Sequence, residues 1–169
     1  MKSIKIIGKR NQDKINKVDK PQRLDAKKWS FTDDYYTHDK QVQLVNMLFL
    51  KEDMEHKAFF EKEINKKITG YKQQDIDKKL LDEELFISFD EVVEYLMLSK
   101  LKCFYCREII ELIYKDVRAK KQWTLDRKDN DYGHNRDNVV IACLDCNLKR
   151  GSMNMEKFKF TKQLKIVKT

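Results

Sequence analysis

One proline, Pro21, and four glycines are all that 169 residues contain of the two strongest chain breakers. So little of either excludes a collagen-like or low-complexity chain, which needs those residues in bulk. No run of about 18 apolar residues occurs, so a membrane-spanning helix is excluded and no membrane partner is expected. The opening MKSIKIIGKR is basic but carries no apolar stretch long enough for a signal peptide. An intracellular, reducing compartment (cytoplasm or nucleus) is therefore expected. Histidine is scarce as well, with three in the whole chain, which narrows any search for a neutral-pH base to His38, His56 and His134.

Charge is plentiful. Charged residues make up 38% and apolar residues 41%, a balance that supports one folded, helix-leaning core rather than a disordered chain. The net charge of +8 is unevenly spread. Residues 1–30 hold ten Lys/Arg against three Asp/Glu, and residues 147–169 hold seven against one. Between them, residues 31–99 reverse the sign, with nine against sixteen. Basic ends, one of them adjoining the cysteines, are the footprint of a phosphate-backbone binder. Lys-rich termini that only confer solubility are the plainer alternative.

Three regions follow. Residues 1–35 read as a basic, partly mobile arm with a short strand at Ile4–Ile7. Residues 36–99 read as helical. From His38 to Lys67, Val42, Val45, Leu48, Phe59, Phe60 and Ile64 recur at helical spacing, with Gly70 as the stop. A second, weaker helix is expected over Asp75–Glu84. Ser88 followed by Glu91 is a capping box ahead of Val92, Val93, Leu96 and Met97. These acidic amphipathic helices bury a core or form a homodimer surface. Residues 100–169 complete the chain, with a basic tail.

All four cysteines fall in two CxxC pairs, Cys103/Cys106 and Cys143/Cys146. Each pair presents two thiolates at a tight turn, and two pairs complete a tetrahedral shell that suits structural Zn²⁺. Disulfides are disfavoured by the reducing context, and a redox CxxC does not account for two pairs. The metal would pin the ends of a 36-residue insert. Within it, EIIELIYKDV reads as a short helix or strand, residues 122–126 and 138–143 as two strands, and KDNDYGHNRD as a turn. A knuckle and helix follow in CLDCNLKRG.

The segment CFYC…WTLDRKDNDYGHNRDNVVIACLDCNLKRG resembles an HNH endonuclease of the ββα-metal type, in the subgroup framed by two zinc-binding CxxC pairs. It is also similar to HNH-like proteins of large DNA viruses and phages, so a viral protein is among the expectations. The likeness covers about residues 100–152. It implies that the zinc-clamped segment is a hairpin and helix that hold one divalent cation, and with the mainly helical N-terminal region read from the pattern above, the expected class is α+β. By that resemblance Asp126 is the first metal ligand, Asn138 the asparagine that orients the loop, and Asn147 the ligand on the helix. A carboxylate and an amide are hard oxygen donors that suit Mg²⁺ or Mn²⁺.

The chain departs from the family's pattern at Arg127, where the family has the histidine base. Arg stays protonated and cannot accept a proton, though it clamps phosphate well. Either another residue supplies the base, or the site binds without cutting. His134 is the natural substitute, and Tyr132 a poorer one because an unperturbed phenol titrates near pH 10. His38 and His56 are read as bystanders. Trp123 and Leu125 are core residues, with base stacking by Trp123 the alternative. Asp129 and Asp131 are turn residues that could also serve a second metal shell, and Gly133 permits the turn. Arg118, Lys120, Lys121, Arg127, Lys149 and Arg150 are candidate phosphate contacts. The expectation is a metal-dependent DNA endonuclease. Its alternatives are a catalytically inactive zinc-stabilised nucleic-acid-binding or packaging protein and a protein-interaction adaptor built on the acidic helices.

Overall fold

The computed structural model describes Trp29 and residues 31–164. The strand expected at Ile4–Ile7, most of the basic arm and the end of the basic tail lie outside the described residues. Within them the fold is mixed α+β, with five α-helices, a short 3-10 helix at Asp33–Tyr36 and one two-stranded antiparallel sheet.

The long N-terminal helix expected from His38 to Lys67 is two helices, α1 (His38–Phe49) and α2 (Lys57–Asp77). Lys51 and His56 break it, both with φ near +60°, a conformation a helix cannot contain. Gly70 does not stop α2, which runs seven residues further, and no separate helix covers 75–84. Propensity was overridden there by packing: Phe60, Ile64 and Ile68 form one buried stripe, and Asp75 continues it.

The capping box forms as its residues require. Ser88 Oγ accepts the Glu91 N–H, and the Ser88 N–H donates to Glu91 Oε2 at 2.8 Å. It starts α3 (Phe89–Leu98), whose Val92, Val93 and Leu96 are buried. The apolar segment 109–114 is neither helix nor strand. Its backbone is satisfied singly instead: the buried Gln41 side chain of α1 accepts the Leu112 N–H at 2.6 Å and donates to the Ile113 carbonyl at 3.2 Å. That bond ties α1 to the cysteine region.

Strands β1 (Trp123–Arg127) and β2 (Val139–Cys143) pair antiparallel, Asp126 opposite Val140 and Trp123 opposite Cys143. Both strands are buried on both faces except at Arg127, because α3 packs against β2 and the next helix against the sheet. That next helix, α4 (Leu144–Arg150), follows β2 without a linker, and the Cys143 sulfur caps it by accepting the Cys146 N–H. After Gly151, α5 (Met155–Gln163) begins at Asn154, which accepts the Glu156 and Lys157 N–H groups. One continuous core draws on α1, α2 and α3 as well as on the sheet and the cysteines.

Candidate functional site

The cysteine cluster comes first, because it holds the other parts in place. Cys103, Cys106, Cys143 and Cys146 bring their four sulfurs within 4.8 Å of one another. Tetrahedral Zn–S bonds of about 2.3 Å place sulfurs about 3.8 Å apart, so the cluster fits a structural metal such as zinc with little adjustment. The Cys143 thiol and the N–H groups of Cys106, Cys143 and Tyr105 hold the Cys103 pKa down to about 5, against the opposing effect of burial. The same pairing and burial raise Cys143 and Cys146, so Cys103 carries the negative charge and these two keep their protons until a cation displaces them. The cluster joins the knuckle at 103–106 to the end of β2 and the start of α4.

From that knuckle Tyr105 reaches Asp126 on β1, its hydroxyl donating to Oδ2. Arg150, on the last turn of α4, meets the same carboxylate, with Nη1 3.0 Å from both Oδ1 and Oδ2. The guanidinium also donates to the carbonyls of Arg127 at 2.6 Å and Lys128 at 2.9 Å. Arg150 is 3% exposed and Asp126 is 6% exposed, so the pair is desolvated. Burial raises the Asp126 pKa above the ordinary carboxylate range, outweighing the hydrogen bonds from Tyr105 and Arg150.

Asp126 forms part of the wall of an open cavity of about 420 Å³. Arg127, His134 and Asn147 line the same cavity, together with Tyr71 and Lys78 from the end of α2 and the turn after it. Asn147 spends its amide N–H groups on Thr124 Oγ1 at 3.1 Å and the Leu125 carbonyl at 3.2 Å, so of its polar atoms the amide oxygen is the one left to act as a metal ligand among the described residues. Arg127 Nη1 is tied to the carbonyls of Asn130 and Tyr132 at 3.3 and 3.0 Å, bracing the loop after β1.

His134 is buried against α2. Its backbone N–H donates to Asp75 Oδ2 at 2.6 Å, and its Nδ1 lies 2.8 Å from Asp75 Oδ1. Burial, together with Arg127 and Lys78, holds the imidazole pKa below its ordinary value despite the attraction of Asp75. Gly133 is needed for close approach and not for a left-handed turn. A Cβ there would lie 2.6 Å from the Leu80 carbonyl oxygen and 2.8 Å from Asp75 Oδ2.

Asn138 stands off the cavity and holds the loop that carries His134. Its Oδ1 accepts the Asp129 N–H at 3.0 Å, and its Nδ2 donates to the carbonyls of Asp129 and Gly133. Asp129 closes a turn by accepting the Asp131 N–H at 2.9 Å. Tyr132 is exposed, Trp123 and Leu125 are buried, and neither His38 nor His56 touches the cavity. Among the candidate phosphate contacts, Arg118, Lys120, Lys121 and Lys149 are exposed, Lys149 pairing with Asp145 at 2.6 Å. Arg150 lies beneath Asp126 and not on that surface.

Sequence reasoning did not single out Asp75, Tyr71, Lys78 or Tyr105. Asp75 had one readable signal, since it falls on the Phe60–Ile64–Ile68 stripe where an unpaired carboxylate is costly to bury. No protein-family model, curated protein or solved structure compared with the chain matches it. Among the described residues no helix is long and apolar enough to cross a membrane.

Proposed function

We propose that the chain is a zinc-clamped HNH-type endonuclease that hydrolyses phosphodiester bonds in DNA. The observation that carries the reading is the convergence of Asp126, Arg127, His134 and Asn147 on one open cavity beside the cysteine cluster. A hairpin followed at once by a helix, with Asn138 bracing the intervening loop, is the arrangement the resemblance implies.

The reading takes Asp126 and Asn147 as the oxygen donors of a hard divalent ion. Asp126 and the Asn147 amide oxygen are both oxygen donors on the cavity wall, and hydrogen bonds from Tyr105 and Arg150 orient the carboxylate as the outer partners of a metal ligand do. When bound there, Mg²⁺ or Mn²⁺ would neutralise charge on the scissile phosphate. The remaining steps belong to the chain. Lys78 and the unengaged N–H groups of Arg127 attract the phosphate. Neutral His134 takes the proton of a water whose oxygen bonds to phosphorus. The leaving sugar oxygen departs with the electron pair of its P–O bond and takes a proton from solvent.

Supercoiled and four-way-junction DNA, incubated with Mg²⁺, Mn²⁺ or EDTA, tests the reading. Nicking that needs metal and disappears in Asp126→Asn is the expected result. Asparagine is chosen because alanine would leave buried Arg150 without a partner. Intact DNA under every condition would sink the proposal.

A second reading, a DNA-binding module that does not cut, is favoured by one observation: the Arg150 guanidinium already lies 3.0 Å from both Asp126 oxygens and repels a second cation. It predicts salt-sensitive binding that Asp126→Asn leaves unharmed, with no cleavage in any metal.

A further inference from the structure

The reaction proposed above makes no use of Asp75, although it is fully buried on the last turn of α2. Both of its carboxylate oxygens serve a single residue, Oδ2 the backbone N–H of His134 and Oδ1 the imidazole Nδ1. The ring is held against Tyr71, one turn earlier on the same helix, at 4.6 Å between centroids. Among the described residues only Nδ1 of the ring is engaged in a hydrogen bond, and His134 shares the cavity wall with Asp126 and Asn147. A side chain at position 133 would collide with the same carboxylate, so Gly133 is what admits the contact.

We infer that Asp75 is the positioning residue of the site: its carboxylate fixes the Nδ1–H tautomer of His134 and leaves unprotonated Nε2 as the nitrogen that receives a proton from the cavity. The proton transfer rests on the nuclease reading, whereas the tautomer does not. A carboxylate oxygen only accepts, so the proton of a neutral imidazole beside it sits on Nδ1. The groups around the ring are consistent with a neutral base. Tyr71 and Asp75 come from α2, Lys78 from the turn after it and Arg127 from β1. As the attacking water's oxygen bonds to phosphorus, its proton moves to Nε2. Asp75 stabilises the imidazolium, which then returns the proton to solvent. The same logic governs serine-protease triads, where an aspartate orients the histidine without itself becoming protonated.

The test uses the whole 169-residue chain loaded with zinc, and its variant Asp75→Asn. Asparagine keeps the shape but presents an amide N–H₂ to Nδ1, which forces the imidazole proton onto Nε2. Imidazole ¹⁵N NMR near pH 7.5 reads the tautomer with no substrate present. The expected result is Nδ1–H in wild type and Nε2–H in the variant. Cleavage should lose on the order of 10²–10⁴-fold in kcat with KM unchanged, the scale of a displaced general base. A wild-type proton on Nε2, or a variant that cleaves with full kcat, overturns the inference. If the variant fails to fold, the wild-type spectrum alone decides the tautomer. A wild-type protein that cuts no DNA overturns the nuclease reading and the proton transfer with it, while the spectrum still decides what Asp75 does to the ring.

Discussion

His134 and Asp75 stand 59 positions apart in the chain and 2.8 Å apart in the fold, joined Nδ1 to Oδ1 in a desolvated contact. The pair welds the loop after β1 to the end of α2. It makes the cavity a shared product of the helical region and the hairpin, since Tyr71 and Lys78 stand on one side and Asp126 and Asn147 on the other.

The contact sets a pH dependence. Burial lowers the folded pKa of His134, so the unfolded chain takes up the proton first as the pH falls. The stability due to the neutral ring is fully present above about pH 6.5 and is lost as the pH drops through the lower folded value. Urea unfolding at about pH 7.5 and about pH 5 should therefore show a larger loss in wild type than in His134→Gln. Equal losses would contradict the assignment.

Two glycine substitutions should move stability in opposite directions. Gly70 lies inside α2 with nothing within 4 Å of its would-be Cβ, so Gly70→Ala should stabilise by roughly 0.5–1 kcal/mol and raise Tm by about 1–4 °C. Gly133→Ala drives a methyl into the Leu80 carbonyl and Asp75, and should cost about 1–3 kcal/mol. Thermal melts of the two variants side by side decide the point.

Arg150 and Asp126 should behave as a coupled buried pair. Arg150→Met leaves the carboxylate uncompensated and should destabilise by roughly 3–5 kcal/mol. Adding Asp126→Asn should return a large part of that loss, because a neutral amide no longer needs the cation. A double-mutant cycle in urea that gives simple additivity would argue against the pairing.

Metal content has a definite expectation. Elemental analysis should find one zinc per chain, and a strong chelator should unfold the protein, because Cys103, Cys143 and Cys146 are themselves core residues. Cys106→Ser should lower zinc occupancy and Tm together. A chain that keeps its Tm after complete zinc removal would rule out a structural role.

Binding to DNA should depend steeply on salt if the exposed cations track phosphates. Replacing Lys120 and Lys121 with Gln should weaken affinity for all sequences alike and reduce the slope of log K against log salt by about 2. Lys149→Gln should change it less, since that side chain is already paired with Asp145. An unchanged slope would place the binding surface elsewhere.

Parts of this molecule were legible from local pattern. The Ser88–Glu91 cap, β1, β2 and the start of α4 at the second CxxC depend on residues a few positions apart, so their signals survive in the sequence. The segment 109–114 is not legible, because its backbone partners are scattered: Gln41 for Leu112, and the carbonyls of Leu101 and Lys121 for Ile110 and Glu111. The break at residues 50–56 within the helical pattern over 38–67 is not legible for a different reason: helical periodicity resumes after it, and charge in a loop looks like charge on a helix face.

The candidate site divides along the same line. The sequence alone determined the cysteine spacing and the order of strand, loop, strand and helix, and it drew Asp126, His134 and Asn147 from that short stretch, because each depends on short-range spacing. Tertiary structure decided their environments. It alone set Arg150 under Asp126 instead of on the surface, and Asp75 behind His134. The physical reason is desolvation: a buried charge must find a partner, and that partner can come from any part of the chain that folding brings alongside.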